Sequence, residues 1–206
     1  MKKKTFLTSI VVLTLIYFFL RIKGLTLQPV FCDEAIYIHW AQQILKNFHL
    51  NAFISLTDGK TPLFMWVVVP FLRIFSDPLV AGRLPSVLSG LATIIGMVVL
   101  GKKFFNLKVG LIAGFILTVT PFTVFFDKLA LADSMLAAYS IWSLILALDF
   151  IQKPNIKKIL LLGLTLGAGI WVKTPGLFSF LTLPAIFLTL NFKKEKLIGV
   201  VKRVLG

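Results

Sequence analysis

Six apolar runs divide this chain, each long enough or nearly long enough to cross a bilayer: Phe6–Leu20, Leu79–Leu100, Val109–Phe126, Leu131–Ile151, Ile156–Val172 and Leu177–Phe192. A membrane-spanning helix needs roughly 20 mostly apolar residues. Of the 206 residues, 58% are hydrophobic and 15% are charged, against about 25% charged in soluble domains. An ordinary soluble domain cannot bury that many long apolar segments. The expected fold class is therefore all-α: a polytopic membrane protein of about six transmembrane helices.

The charge is strongly basic, with 22 Lys+Arg against 8 Asp+Glu. A nucleic-acid partner is not expected, because the basic residues lie between apolar runs instead of along one solvated face. With six spans, fourteen of the 22 basic residues fall on one side: Lys2–Lys4, Lys102, Lys103, Lys108, Lys153, Lys157, Lys158, Lys193, Lys194, Lys196, Lys202 and Arg203. By the positive-inside rule that side is cytoplasmic and holds both termini. The run Pro62–Phe75 has 14 residues, about 21 Å as a helix, short of the ~30 Å hydrocarbon core. Counting it as a span would move eleven of the fourteen basic residues outside, so it is expected to lie in or dip into the outer face. The first run follows three lysines, as a signal peptide would, but no small-x-small cleavage site follows it, and an uncleaved anchor is expected. Cys32 is the single cysteine, and His39 and His49 are the only histidines. That composition excludes an internal disulfide and a Cys-rich zinc site.

The acidic residues are lopsided too. Asp33, Glu34, Asp58, Asp77, Asp127 and Asp133 fall on or near the outer face, and only Asp149 and Glu195 fall towards the cytoplasm. Acidic residues contribute little to orientation, so the clustering calls for a reason at that face. The first outer loop, about residues 24–78, is not linker-like. In AIYIHWAQQILKNF, Ile36, Trp40, Ile44 and Phe48 recur every four residues, with Tyr37, Ala41 and Leu45 beside them, as in an interfacial amphipathic helix. Asp33 stands just before it and Glu34 in its first turn; that place suits a helix cap as well as a catalytic carboxylate.

Further on, Asp58-Gly59-Lys60-Thr61-Pro62 reads as a turn entering a helix, with Thr61 as a candidate cap. Lys60 would then stand beside a helix N-terminus, where an anion is favoured. Arg83, Asp133 and Lys173 lie at the outer ends of their spans, and charges there need a partner or a wet cavity. Together these residues suit a substrate with an anionic polar head and an apolar tail.

The segments CDEAIYIHWAQQIL, DGKTPLFMWVVVPFLRIF, AGRLPSVLSGLATI, LALADSMLAAYSIW and WVKTPG resemble, in order and spacing, the start of a C-superfamily glycosyltransferase. That group includes protein O-mannosyltransferases, the aminoarabinose transferase acting on lipid A, and rhizobial lipopolysaccharide sugar transferases. The resemblance implies a polyprenyl-phosphate-linked sugar donor and a glycolipid, glycan or protein acceptor hydroxyl on the outer side of the cell membrane. It implies an inverting transfer; no cofactor is expected, and the sequence leaves a divalent-metal requirement open. It also implies roles: Asp33 as catalytic base with Glu34 beside it, Lys60, Arg83 and Lys173 on the donor phosphate, and Asp133 and Asp58 as further site residues. Such enzymes are usually more than twice this long, so residues 1–206 are expected to form the N-terminal part of the transmembrane domain. A non-enzymatic membrane module, such as a transporter half or a lipid-binding subunit, is the competing class. It would place its charges near the membrane midplane.

Overall fold

The computed structural model describes residues 3–182, which form an all-α, membrane-type protein. The helices are α1 (Lys3–Ile22), α2 (Cys32–Lys46), α3 (Phe48–Asn51), α4 (Leu63–Ile74), α5 (Pro78–Phe104), α6 (Leu107–Val119), α7 (Pro121–Asp127), α8 (Ala132–Gln152) and α9 (Ile156–Val172), with 3₁₀ turns at Ile54–Asp58 and Thr174–Leu181. Helices α5 and α8 are long and apolar enough to cross a membrane, and α6 with α7 would make a third crossing as one bent span. The apolar part of α1, Thr8–Ile22, is shorter, and α9 has 17 residues. The expected sixth span begins differently: Leu177–Leu181 belongs to a 3₁₀ turn, and the rest of that run, with Lys193–Arg203, lies outside the described residues.

The expected continuous span at Val109–Phe126 is broken, with a bend of 65° between α6 and α7. The cause is Pro121, which has no N–H to offer Leu117 and cannot continue the ladder. The carbonyls released at the break are satisfied by side chains. Thr123 Oγ1 donates to Leu117 O at 2.5 Å, and Arg21 Nη1 donates to Thr118 O at 2.5 Å. Arg21 is fully buried and also pairs with Asp127 at 3.1 Å, whose carboxylate accepts from Ser134 and Tyr17. Gly90 leaves room for this cluster, because a Cβ there would strike Asp127 and the Tyr17 hydroxyl.

Helices α5 and α8 pack side by side, running from the Arg83–Asp133 end to the Lys103–Asp149 end. Helix α4, 12 residues long, lies with α2 against the first of these ends. One buried cluster joins Tyr37, Ile38, Ala41 and Ile44 of α2 to Phe64, Met65 and Val68 of α4, Ala132 and Met135 of α8, and Val172 of α9. The buried stripe of α2 is thus set by Tyr37, Ile38, Ala41 and Ile44, while Ile36 and Trp40, which head the expected stripe, are half-buried at its edge.

Candidate functional site

Helix α2 begins earlier than the hydropathy pattern suggests, with Phe31 at the N-cap position. Glu34, in its first turn, accepts a hydrogen bond from the Phe31 N–H at 3.2 Å. The cap function expected of Asp33 is therefore taken by Glu34. Asp33 is left half-exposed with its Oδ1 3.3 Å from Lys60 Nζ.

Lys60 leaves a tight turn closed by Gly59, whose φ of 67° puts it in the left-handed region. Its amino group pairs with Asp58 at 3.0 Å as well as with Asp33. The hydrogen bond to Asp58 comes first among the causes that raise the Lys60 pKa above the ordinary lysine value, so this amine is cationic throughout the physiological range. It also lies 5.5 Å from the centre of the Tyr37 ring and 5.6 Å from that of Trp40, within cation–π range. Burial, ahead of any charge effect, raises the pKa of the Tyr37 phenol; it stays neutral. The turn makes a direct prediction. A Cβ on Gly59 would meet no atom within 4 Å, so Gly59→Ala should cost only backbone strain, about 1–2 kcal/mol. Gly59→Asn should cost less, because Asn tolerates that region. Thermal unfolding of the two variants measures the difference.

Across from Lys60, α9 ends at Lys173, whose Nζ is 2.7 Å from Asp133 Oδ1 at the start of α8. A cavity of about 220 Å³ lies between the two lysines, lined by Asp33, Tyr37, Lys60, Thr61, Met65 and Lys173 among others. A second, apolar groove of about 540 Å³ begins about one turn deeper along α4 and α8, lined by Val67, Phe71, Met135, Tyr139, Trp142 and Leu161 among others. A polar, charge-paired chamber thus sits at the head of an apolar trough on the same helices.

Three of the seven expected site residues line this cavity, Asp33, Lys60 and Lys173, and Asp58 and Asp133 join them through their pairs with Lys60 and Lys173. Glu34 and Arg83 are not on the cavity. Both side chains are fully buried, with Arg83 Nε and Nη2 each 2.7 Å from a Glu34 oxygen. Glu34 Oε1 also accepts from the Ala130 N–H at 2.7 Å, and Arg83 donates to the carbonyls of Leu25 at 2.5 Å and Gln28 at 3.2 Å. These contacts occupy the acceptor sites of the carboxylate and four guanidinium donors. The pair ties the start of α2 to α5 and to the α7–α8 connection. Sequence reasoning missed Tyr37 and Thr61 as cavity residues, having assigned them to the apolar stripe and to a cap. It also missed the Arg21–Asp127 pair, whose partners are 106 positions apart.

A family model, dolichyl-phosphate-mannose-protein mannosyltransferase, matches residues 59–204, from the Gly59 turn through Lys60, Arg83, Asp133 and Lys173. The chain belongs to the dolichyl-phosphate-mannose-protein mannosyltransferase family. As a member of that family it is a mannosyltransferase-like membrane glycosyltransferase of the C superfamily. Neither a curated protein nor a solved structure matches the chain. The family match begins after Asp33, Glu34 and Asp58, so those three rest on their placement beside the matched residues.

Proposed function

We propose that this site transfers a sugar from a polyprenyl-phosphate donor to an acceptor hydroxyl on the extracytoplasmic side of the cell membrane. One observation carries the reading: two lysines, each paired with a carboxylate, line one cavity that stands at the head of an apolar groove. That combination suits a ligand with an anionic head, a sugar and a long apolar tail. Lys60 and Lys173 take the phosphate, and Asp33 acts as the base. Asp58 and Asp133 hold the two lysines in place. We assign Glu34 and Arg83 to support, not to contact with the reacting atoms, because they are fully buried and bonded to each other and to backbone groups inside the fold.

In the proposed step, the acceptor oxygen attacks the anomeric carbon while the bond from that carbon to the phosphate oxygen breaks. The bonding pair leaves with the phosphate, and the acceptor proton passes to Asp33, with inversion at the carbon. A positioned carboxylate base contributes about 10²–10⁴ in rate. Cations at the departing oxygens stabilise charge where it develops. When phosphate claims Lys60, Asp33 loses its ion-pair partner and is released to accept a proton. Charge supports the choice of side: Lys103, Lys158 and Asp149 cluster at the end of the bundle away from the cavity, and basic residues favour the cytoplasm.

Lys60→Ala tests the phosphate assignment. A hydrogen bond to a charged group is worth about 1.5–3 kcal/mol, so donor use should weaken by roughly ten- to a hundredfold. The measurement is the dependence of transfer on donor concentration, in membranes from cells expressing the protein. Unchanged donor kinetics would make Lys60 a turn residue and remove the phosphate site.

A further inference from the structure

The apolar stripe of α2 is packed inside the protein, and exposed apolar side chains of the first loop gather in the segment that follows it. Leu50 is 80% exposed, and Phe48, Phe53 and Leu56 are each at least half exposed. Several polar groups of the same segment bond back onto the chain. Asn47 Oδ1 accepts from the Leu50 N–H at 3.2 Å, Asn51 donates to the Gln43 carbonyl at 3.0 Å, and Thr57 donates to the Ile54 carbonyl at 2.7 Å. The Ala52 carbonyl accepts from the Trp66 indole at 2.6 Å, and Ser55 is fully buried. Apolar side chains outward with polar groups bonded back is what lipid demands, since no water there can satisfy a backbone group. Between Asn47 and Thr57 the chain carries no acid, and His49 alone can titrate. An imidazole has an apolar body and a polar tip, which suits an interface.

Depth is set by α9. Lys158, near its start, donates to the carbonyls of Asp149 and Lys153 at the far end of the bundle. Trp171 stands thirteen positions on, roughly 20 Å along the helix, less than the ~30 Å thickness of the hydrocarbon core. Leu160, Leu164 and Trp171 are exposed on one face of α9. The Trp171 ring is 6.1 Å from Phe53 and 5.6 Å from Trp66, and Trp66 is 6.3 Å from Phe48. Through these rings the exposed apolar face of α9 continues into the loop segment. Tryptophan is enriched at the membrane–water interface.

We infer that Phe48–Leu56 is a membrane anchor, seated in the leaflet at the cavity end of the bundle with Phe48, Leu50, Phe53 and Leu56 against lipid. That leaflet is the outer one on the topology proposed above. Lys60 follows Leu56 by four positions, so the anchor holds its amine at the level of the lipid headgroups.

The test places a nitroxide on Leu50→Cys and on Leu56→Cys, each with Cys32→Ser, in nanodiscs of phosphatidylcholine and phosphatidylglycerol. Leu164→Cys is the lipid reference, and Lys108→Cys, exposed near the start of α6, is the aqueous one. Power saturation reads collision of each label with oxygen, which concentrates in lipid, and with a water-soluble nickel chelate. Both loop labels should follow Leu164→Cys, with oxygen collisions exceeding nickel collisions, whereas Lys108→Cys shows the reverse. The unaltered protein should also cross-link through Phe48–Leu56 to a phosphatidylcholine carrying a diazirine in its acyl chain, a measurement that needs no substitution. Nickel collisions as frequent as at Lys108→Cys would put the segment in water and overturn the anchor. Labels shielded from both reagents, or no cross-link within Phe48–Leu56, would put protein against it, a further segment or a second copy, and overturn it equally. Lys60→Ala leaves these readouts unmoved, so donor use by that variant bears on the phosphate site alone.

Discussion

Glu34→Ala is expected to lower the stability of the protein by about 3–5 kcal/mol, the cost of leaving one partner of a buried ion pair without the other. Both side chains of the Glu34–Arg83 pair are fully shielded from solvent, so no water replaces the lost carboxylate. The same substitution strands the Phe31 and Ala130 N–H groups that the carboxylate accepts, which places the effect towards the upper end. Arg83→Ala should cost a similar amount, because it leaves the buried Glu34 carboxyl without its partner. A double change to apolar residues, Glu34→Leu with Arg83→Met, should recover much of the loss, since a buried ion pair stabilises little over well-packed apolar residues of similar volume. Chemical unfolding of the purified protein in detergent measures all four forms. Near-normal stability of Glu34→Ala would mean that the pair is not the brace joining α2, α5 and the α7–α8 connection.

Hydropathy located the long helices closely, and for a physical reason. Helix α9 coincides with the run Ile156–Val172, and α8 differs from Leu131–Ile151 by one residue at each end, because each is one apolar run with no proline inside it to break the ladder. Hydrogen bonding is invisible to such a profile. Pro121 sits within an apolar run, so the break between α6 and α7 leaves no mark on hydropathy, and Arg21 reaches the freed Thr118 carbonyl from a distant segment. At the site, residue types and the face they share could be read, but the pairing could not. Lys60 meets Asp33 from 27 positions away and Lys173 meets Asp133 from 40, and no local spacing encodes such contacts. The choice between Asp33 and Glu34 as cap turned on where α2 starts. Its boundary lies at Cys32 because Glu34 reaches back to Phe31.

That boundary sharpens the role of Asp33. Its carboxylate sits in the first turn of α2 and pairs with Lys60 at the surface of the cavity, where side-chain exposures are 47% and 27%. A partly exposed pair of this kind contributes about 0–1 kcal/mol, and the charge near the helix N-terminus adds about 0.3–1 kcal/mol. Lys60 retains Asp58 at 3.0 Å when Asp33 is neutralised, so Asp33→Asn should leave the fold nearly intact. Glu34 cannot stand in as base, since its oxygens are occupied by Arg83, Ala130 and Phe31 in the interior. A single substitution therefore suffices to remove the proposed base.

The direct measurement is transfer of a labelled sugar from a polyprenyl-phosphate donor, in membranes holding matched amounts of unaltered and Asp33→Asn protein, with thermal unfolding followed alongside. The account predicts a rate lower by about 10²–10⁴ with stability lowered by no more than about 2 kcal/mol. Transfer by Asp33→Asn at the unaltered rate would contradict it.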